Sequence, residues 1–371
     1  DETGSDDSIS LMYAKEADTA STVAVKVAST VETVNIAATA EAAGADTFTI
    51  TSTNLASGNI VVTGGHSADT LALGTLNKAT TNVDASAYKG ILTATTAAAG
   101  AVTVSANGTV ANTITTGAGG DTITLAGKLG TTADTIDAAG GTDTLNVTAN
   151  AATDFTNVSN VETINITVSS GETASFATSA DAGLVAAKTI NVLGGNSLSK
   201  LTTAGFDDGA TAQTIDASGF NGDLDLTLAA DALDAEMTIK GGSSSSDKVS
   251  LVVAGVDNKP ASMTGVETLA VTSTDGDAAS KVDLTNVTGL TKLTTTFVTD
   301  SAAEKVEYAK VATGVTLEVT SAETADNLVV GMTDASAADT TLALTLKAFG
   351  TAGDVLNLDA AGVENLNIKN S

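Results

Sequence analysis

A short motif that recurs four times, Val-Glu-(Thr/Asn)-apolar-x-apolar, limits the possible folds of this chain more than any other sequence feature. Its copies begin at Val31, Val161, Val266 and Val363. Further elements recur between the copies: NVDASAYKGILTAT (Asn82–Thr95) matches TIDASGFNGDLDLT (Thr214–Thr227), and a glycine-rich turn with an aspartate follows each one. Motifs that repeat in register indicate diverged cassettes whose stacking forms a continuous core. The repeats predict a lead-in segment, 1–30, and three cassettes, 31–160, 161–265 and 266–371.

Short runs that alternate polar and apolar residues fill the space between the turns. They include Asp46–Ser52, Gly100–Ala106, Asp143–Ala149, Gly222–Leu228 and Thr340–Leu346. Each run is typical of a strand of about five residues with one apolar face. Helical spacing is rare, and its best candidates are Ser179–Lys188 and Ala322–Val329. The chain is therefore expected to be all-β.

A smaller unit recurs inside the cassettes: a glycine-rich turn, Asp, Thr, and then an apolar residue at every second position. Such turns end in Asp46, Asp69, Asp121, Asp134, Asp143 and Asp354. Strands separated by glycine corners at near-regular intervals predict an elongated parallel β-solenoid in which each turn pairs with its neighbours. Tandem β-sandwich domains fit the same alternation and are the alternative.

The charge of the chain excludes several classes of partner. The formal net charge is −28, and all 16 basic residues are lysines. Such acidity excludes nucleic acid and anionic membrane surfaces as partners. Hard divalent cations such as Ca²⁺ are the natural partners of surplus carboxylates.

The residue inventory also argues against an enzyme. Cysteine is absent, His66 is the one histidine, and no Gly-x-Ser-x-Gly elbow occurs. A thiolate nucleophile or zinc–thiolate site is thereby excluded, and a catalytic triad would depend on a histidine inside a glycine-rich turn. No apolar run approaches the ~20 residues of a membrane span, so no direct membrane insertion is expected. The sequence begins at Asp1 without a signal peptide, so we expect it to be a mature or trimmed piece.

The aspartate turns are the candidate metal sites. In TITTGAGGDTITLAG (Thr113–Gly127) glycines surround one carboxylate. Ca²⁺ takes 6–8 oxygen ligands, and glycine lets backbone carbonyls turn inward beside a carboxylate. The predicted ligands are Asp121, Asp134, Asp143, Gly117, Gly119, Asp137, Asp69 and Asp46. The alternative for each aspartate is an Asx-type turn in which its oxygen accepts a nearby backbone N–H. A phosphate cradle fails because no Gly-Lys-(Ser/Thr) follows the glycines.

The glutamate of the four-fold motif is expected to have a structural role. It occupies a fixed place as Glu32, Glu162, Glu267 and Glu364. We expect it to bond backbone groups at the edge of a solenoid turn, with metal ligation as the alternative.

These turns resemble the nonapeptide of the repeats-in-toxin family, Gly-Gly-x-Gly-x-Asp-x-apolar-x. Gly117–Leu125 is close to that pattern, Ala138–Val147 keeps two glycines and the aspartate, and Thr63–Leu73 is looser. The resemblance implies a calcium-loaded parallel β-roll. Because the nonapeptides are not consecutive, a long calcium ladder is not expected. The wider arrangement of Asp-Ala-Ser elements, glycine turns and Asn-Val-Glu-Thr closers resembles bacterial surface-layer proteins and large adhesins.

Together these features predict a secreted, non-enzymatic structural protein of a bacterial cell surface. We expect Ca²⁺ to stabilise it, self-association into a two-dimensional surface-layer lattice, and contact with cell-surface polysaccharide. One alternative is an adhesin or biofilm protein of the same fold that binds a surface or glycan. A second alternative is an ice-binding solenoid with threonine ladders, against which the irregular spacing of the Thr-x-Thr pairs argues.

Overall fold

The computed structural model describes residues 6–13, 21–23, 31–39, 47–50, 58–76, 79–128, 134–149, 153, 155–177, 187–204, 212–274, 279–298, 304–320, 324–334, 340–347 and 355–370. Within these ranges every regular element is a β-strand, and every strand pairing that the structure gives is parallel. The prediction of an all-β parallel β-solenoid is confirmed, and the β-sandwich alternative is wrong because sandwich sheets are antiparallel.

One predicted helix is also wrong. The segment Ala322–Val329 overlaps the strand Thr324–Met332, in which Leu328 and Val330 are buried while Val329 between them is half-buried. Burial at every second residue is the period of a strand. Most of the other helical candidate, Ser179–Lys188, lies outside the described residues.

The chain divides into two compact units. Unit 1 comprises Asp1–Ser169 with Ala180–Ile190, and unit 2 comprises Ser170–Ser179 with Asn191–Ser371. These units are defined by compactness, whereas the three predicted cassettes are defined by repeats in the sequence. The cassettes therefore stay a prediction.

Unit 1 consists of two parallel sheets that share the strands alternately. Its strands are β1 (Ser8–Tyr13), β2 (Ser21–Val23), β3 (Thr33–Ala38), β4 (Thr47–Ile50), β5 (Gly58–Gly64), β6 (Thr70–Leu76), β7 (Thr80–Tyr88), β8 (Ile91–Thr96), β9 (Thr103–Asn107), β10 (Thr113–Thr115), β11 (Thr122–Lys128), β12 (Thr135–Asp137), β13 (Thr144–Ala149), β14 (Val158–Ser159) and β15 (Thr163–Val168). Odd-numbered strands follow one another in the first sheet, and even-numbered strands in the second. Each turn of the solenoid therefore adds one strand to both sheets.

The core of unit 1 is a stack of small apolar side chains. In the first sheet Val83, Val104, Ile123, Leu145 and Ile164 pair in register on consecutive turns, and none is more than 1% exposed. Residues on either side of each point outward, so one sheet face is dry and the other polar. This stacking explains why Val, Ile, Leu and Ala supply the core of a chain with so few aromatic rings.

Unit 2 is also built from parallel strands. Its strands are β16 (Thr173–Ala177), β17 (Thr189–Gly194, whose first two residues belong to unit 1), β18 (Lys200–Ala204), β19 (Gln213–Phe220), β20 (Asp223–Thr227), β21 (Met237–Lys240), β22 (Lys248–Val253), β23 (Asp257–Asn258), β24 (Ser262–Thr264), β25 (Thr268–Ser273), β26 (Ala279–Asp283), β27 (Val287–Thr288), β28 (Lys292–Phe297), β29 (Lys305–Val311), β30 (Thr316–Thr320), β31 (Thr324–Met332), β32 (Thr341–Lys347), β33 (Val355–Ala361) and β34 (Asn365–Asn370).

Three parallel arrays form unit 2. One runs in the order β16-β18-β20-β22-β25-β28-β30-β32-β34, a second in the order β19-β21-β24-β27, and a third in the order β23-β26-β29-β31-β33. Strands that neighbour one another in a sheet are thus one turn apart in the chain, as in unit 1.

Candidate functional site

The strongest cluster of candidate residues is a column of carboxylates in unit 1, here named the acid column: Asp121, Asp143 and Glu162. Each residue lies at or next to the start of its strand, on consecutive turns of the first sheet. Asp121 Oδ1 accepts the backbone N–H of Val102 at 2.8 Å, and Asp143 Oδ1 accepts that of Asp121 at 2.6 Å. Glu162 Oε2 then accepts the N–H of Asp143 at 2.9 Å. The carboxylates therefore join each turn to the turn before it.

The second carboxylate oxygen of each aspartate in this column is buried and accepts no hydrogen bond. Asp121 and Asp143 are both 1% exposed, and their Oδ2 atoms have no hydrogen-bond partner. A buried polar atom without a partner is costly, and a charged one more so. Burial raises the pKa of Asp143, and the charges of Asp121 and Glu162 raise it further, against the lowering effect of the bond from Asp121 N–H. The column can relieve this cost by binding a proton or a cation.

Glycine is required beside the column because the turns approach one another very closely. A Cβ on Gly117 would overlap the carbonyl of Ala98, and a Cβ on Gly119 would overlap the backbone of Gly100. Gly141, one turn later, stacks on Gly119 in the same way. The two predicted glycine ligands thus have a packing role that the sequence pattern alone does not reveal.

Asp134 belongs to a different ladder, in the second sheet. Its Oδ1 accepts the backbone N–H of Asn112 at 2.8 Å and the side-chain Nδ2–H at 2.9 Å. Asn112 Oδ1 in turn accepts the N–H of Leu92 at 3.0 Å. Asp134 Oδ2 is buried without a hydrogen-bond partner, and burial raises the pKa of this carboxyl to about 6. The structure therefore brings Asp121 and Asp143 into one column but places Asp134 in another.

Two further predicted aspartates lie at strand ends: Asp137 is the last residue of β12, and Asp69 directly precedes β6. Asp137 accepts the N–H of Ala139 and Nδ2–H of Asn160, and the bond from Asn160 is the main reason why the pKa of Asp137 is lowered. Asp69 Oδ2 accepts the N–H of His66 at 2.6 Å. The bonds from the backbone N–H groups of Ala139 and His66 correspond to the Asx-type alternative, in which the carboxylate accepts a nearby backbone N–H. Asp46 lies outside the described residues.

The glutamate of the four-fold motif has the structural role expected of it at three of its positions. In each case Oε2 accepts the backbone N–H of a residue one turn earlier, at 2.8 or 2.9 Å. The donor–acceptor pairs are Asp7 with Glu32, Asp143 with Glu162, and Asp247 with Glu267.

Sequence reasoning missed three further buried acids, all in unit 2. Asp247 is 0% exposed and accepts the N–H groups of Leu224 at 2.9 Å and Gly242 at 2.6 Å. Glu304, directly before β29, and Asp326, within β31, are also 0% exposed, and the residues that follow them, Lys305 and Asn327, pair in register. Their shared signal is an acid directly before, or near the start of, an alternating run. The last two lack the glycine-rich turn that marks the predicted sites.

Among the residues that the structure describes, no three or more His, Cys, Asp or Glu side chains form a group that could hold a metal ion. The same part of the chain contains no helix long and apolar enough to cross a membrane. No family model, curated protein or solved structure matches the chain. What the site does must therefore be argued from its own geometry.

Proposed function

We propose that this chain is a non-enzymatic structural protein of a bacterial cell surface, a surface-layer protein or a segment of one, which Ca²⁺ stabilises and which self-associates into a lattice. The turns that resemble the repeats-in-toxin nonapeptide, the net charge of −28 and the stacked parallel strands support this proposal.

The observation that best supports the proposal is that buried acidic side chains accept hydrogen bonds from the backbone of the preceding turn. Asp121, Asp143 and Glu162 bond the backbone of the preceding turn, and Asp247 and Glu267 do the same in unit 2. Groups that could act as acids or bases in an enzyme are thus engaged in joining turns. An architectural function fits this arrangement best.

Calcium fits the acid column through its unused oxygens. The Oδ2 atoms of Asp121 and Asp143 are hard oxygen donors without a hydrogen-bond partner. Ca²⁺ takes 6–8 oxygen ligands, so backbone carbonyls and water would have to supply the rest of its shell. A bound cation would offset the cost of two buried carboxylates, and neutralising part of the surface charge would let protomers approach one another.

The test is a thermal melt with parallel light scattering, first in excess EDTA and then in millimolar Ca²⁺, with Mg²⁺ as the control ion. A ligand at ~100 times its dissociation constant adds ~2.7 kcal/mol per independent site. We expect a calcium-specific rise of the midpoint, accompanied by scattering from ordered assemblies that electron microscopy shows as sheets.

A double variant, Asp121→Asn with Asp143→Asn, locates the ion. Each asparagine keeps an oxygen for the backbone N–H and removes the charge, so the fold should survive while the calcium-dependent rise disappears. Asp137→Asn, at the half-buried end of β12 in the same unit, should leave the rise intact. The proposal would be overturned if Ca²⁺ left the midpoint of thermal unfolding of the wild type unchanged and the protein remained monomeric at high concentration.

A further inference from the structure

One outer face of unit 1 carries a regular array of hydroxyl and amide groups. The first column of this array consists of Thr103, Thr122, Thr144 and Thr163, which pair in register on β9, β11, β13 and β15. All four side chains point outward, since the residues that follow them are buried. Four consecutive turns thus present a threonine at the same place.

A second column lies two residues further along the same strands. It consists of Ser105, Thr124, Asn146 and Asn165, again in register. Asn146 Nδ2–H donates to Thr124 Oγ1 at 3.1 Å, and Asn165 Nδ2–H donates to Asn146 Oδ1 at 2.7 Å. These bonds hold three of the four side chains of the second column in a hydrogen-bonded ladder. The two columns together are named the threonine face.

The threonine face is uncharged in a very acidic chain. None of its eight positions is ionisable, although the chain carries 44 acidic residues and a net charge of −28. Asp84, which pairs with Ser105 one turn earlier, bounds the face on one side.

The uneven spacing of these residues in the sequence does not disturb their alignment. The bonds between consecutive turns span 22 residues from Asp121 to Asp143 and 19 from Asp143 to Glu162. The loops between strands absorb the difference, and the strands remain in register. The uneven spacing of the threonines in the sequence therefore does not prevent them from forming a ladder.

We propose that the threonine face binds ice. Adjacent parallel strands are about 4.8 Å apart, and alternate residues along a strand are about 6.6 Å apart. The face is therefore a regular two-dimensional array of hydroxyl and amide groups, a pattern of the kind that water molecules form on planes of an ice crystal. Because the sheet and the asparagine ladder already hold the side chains in place, little conformational entropy is lost on binding. This inference is independent of calcium binding and of lattice formation.

Two other partners match the threonine face less well: a crystalline polysaccharide and a second copy of this chain. Sugar rings are usually held against aromatic side chains, and the threonine face contains none. Contact with a second copy usually buries an apolar centre, whereas this face is polar throughout.

The experiment measures thermal hysteresis and inhibition of ice recrystallisation for the wild-type chain, for Thr144→Lys and for Thr294→Lys. Thr144 lies in the middle of the threonine face, where a long charged side chain would hold ice away. Thr294 occupies an outward, half-buried position on β28 in unit 2, opposite Glu318, so a lysine there would face a carboxylate. Thermal melts of all three proteins establish that they are folded.

We expect ice-crystal shaping and hysteresis from the wild type and from Thr294→Lys, and their loss to the level of a non-binding protein in Thr144→Lys. A wild type without hysteresis overturns the proposal, as does hysteresis that survives Thr144→Lys. Binding to crystalline cellulose or chitin without any effect on ice would assign the face to polysaccharide instead and would equally overturn it.

Discussion

At Asp134 the fold places a carboxyl group where its ionised form is unfavourable. One oxygen has two donors from Asn112, but the other has no hydrogen-bond partner, and burial raises the pKa to about 6 from an ordinary value of 3.8. A folded-state pKa above the unfolded one means that the protonated form is preferred on folding. The stabilisation is complete below the unfolded pKa and is lost as pH rises through about 6.

Asp134 should therefore make the protein less stable at neutral pH than in mild acid. A shift of this size corresponds to roughly 2–3 kcal/mol between the two limits. In EDTA, urea unfolding from about pH 4 to about pH 8 should show a free energy of unfolding that falls through this range. Asp134→Asn keeps an acceptor for Asn112 and should make the fall smaller, while Asp143, whose pKa is also raised, still contributes to it.

The control for this experiment is Asp137→Asn, because the pKa of Asp137 is lowered rather than raised. Its curve should keep the wild-type fall at mildly acidic to neutral pH. Parallel curves for the wild type and Asp134→Asn would show that Asp134 is not the group responsible.

At the scale of single elements, the two matched segments, Asn82–Thr95 and Thr214–Thr227, each contain a buried aromatic ring at the end of a strand. Tyr88 at the end of β7 is 3% exposed, and Phe220 at the end of β19 is 0% exposed. A Cβ on Gly195 would lie 2.6 Å from Phe220 Cε2, and one on Gly65 would overlap the ring of Tyr88. Glycine is thus needed on the neighbouring turn so that the ring can lie flat against its backbone.

Gly195→Ala tests this contact in unit 2. The residue has φ +70, so alanine suffers both a backbone penalty of about 1–2 kcal/mol and a clash with Phe220. Overpacking of a core adds about 1–3 kcal/mol. Gly314→Ala is the matched control, because Gly314 has φ +88 and a Cβ there would meet nothing within 4 Å. Urea unfolding should show a clearly larger loss for Gly195→Ala, whereas equal losses would mean that only the backbone conformation matters.

The elements that the sequence predicted best are those with a two-residue period. The run Gly100–Ala106 covers β9 except for its last residue, and the run Asp143–Ala149 contains β13, because alternation states directly which residues are buried. The site was harder to predict. Asp121 and Asp134 follow similar turns but belong to different sheets, and strand order within a turn is a tertiary property. The glycines beside Asp121 looked like ligand turns because close backbone approach and carbonyl donation require the same residue.

At the scale of the whole molecule, the chain carries far more acidic residues than lysines. In unit 2 lysines alternate with acids across adjacent strands: Glu318 contacts Lys292 at 3.1 Å and Lys347 at 2.8 Å, and these contacts lower the pKa of Glu318. Asp225 contacts Lys200 at 2.9 Å. Exposed ion pairs of this kind each contribute about 0–1 kcal/mol. With 16 lysines against 44 acids, most carboxylates have no cation to pair with.

Salt therefore has two opposing effects, and their balance can be predicted. It weakens the lysine–acid contacts, and it screens repulsion among the surplus carboxylates. Raising NaCl from about 10 mM to about 150 mM shortens the Debye length from about 30 Å to about 8 Å. Because the contacts are few and the net charge is −28, we expect the melting temperature at pH 7 to rise with NaCl in EDTA. Near pH 4, where many carboxylates are protonated, the rise should shrink. A melting temperature that falls with NaCl at pH 7 would mean that the lysine–acid contacts of unit 2 stabilise the protein more than its excess charge destabilises it.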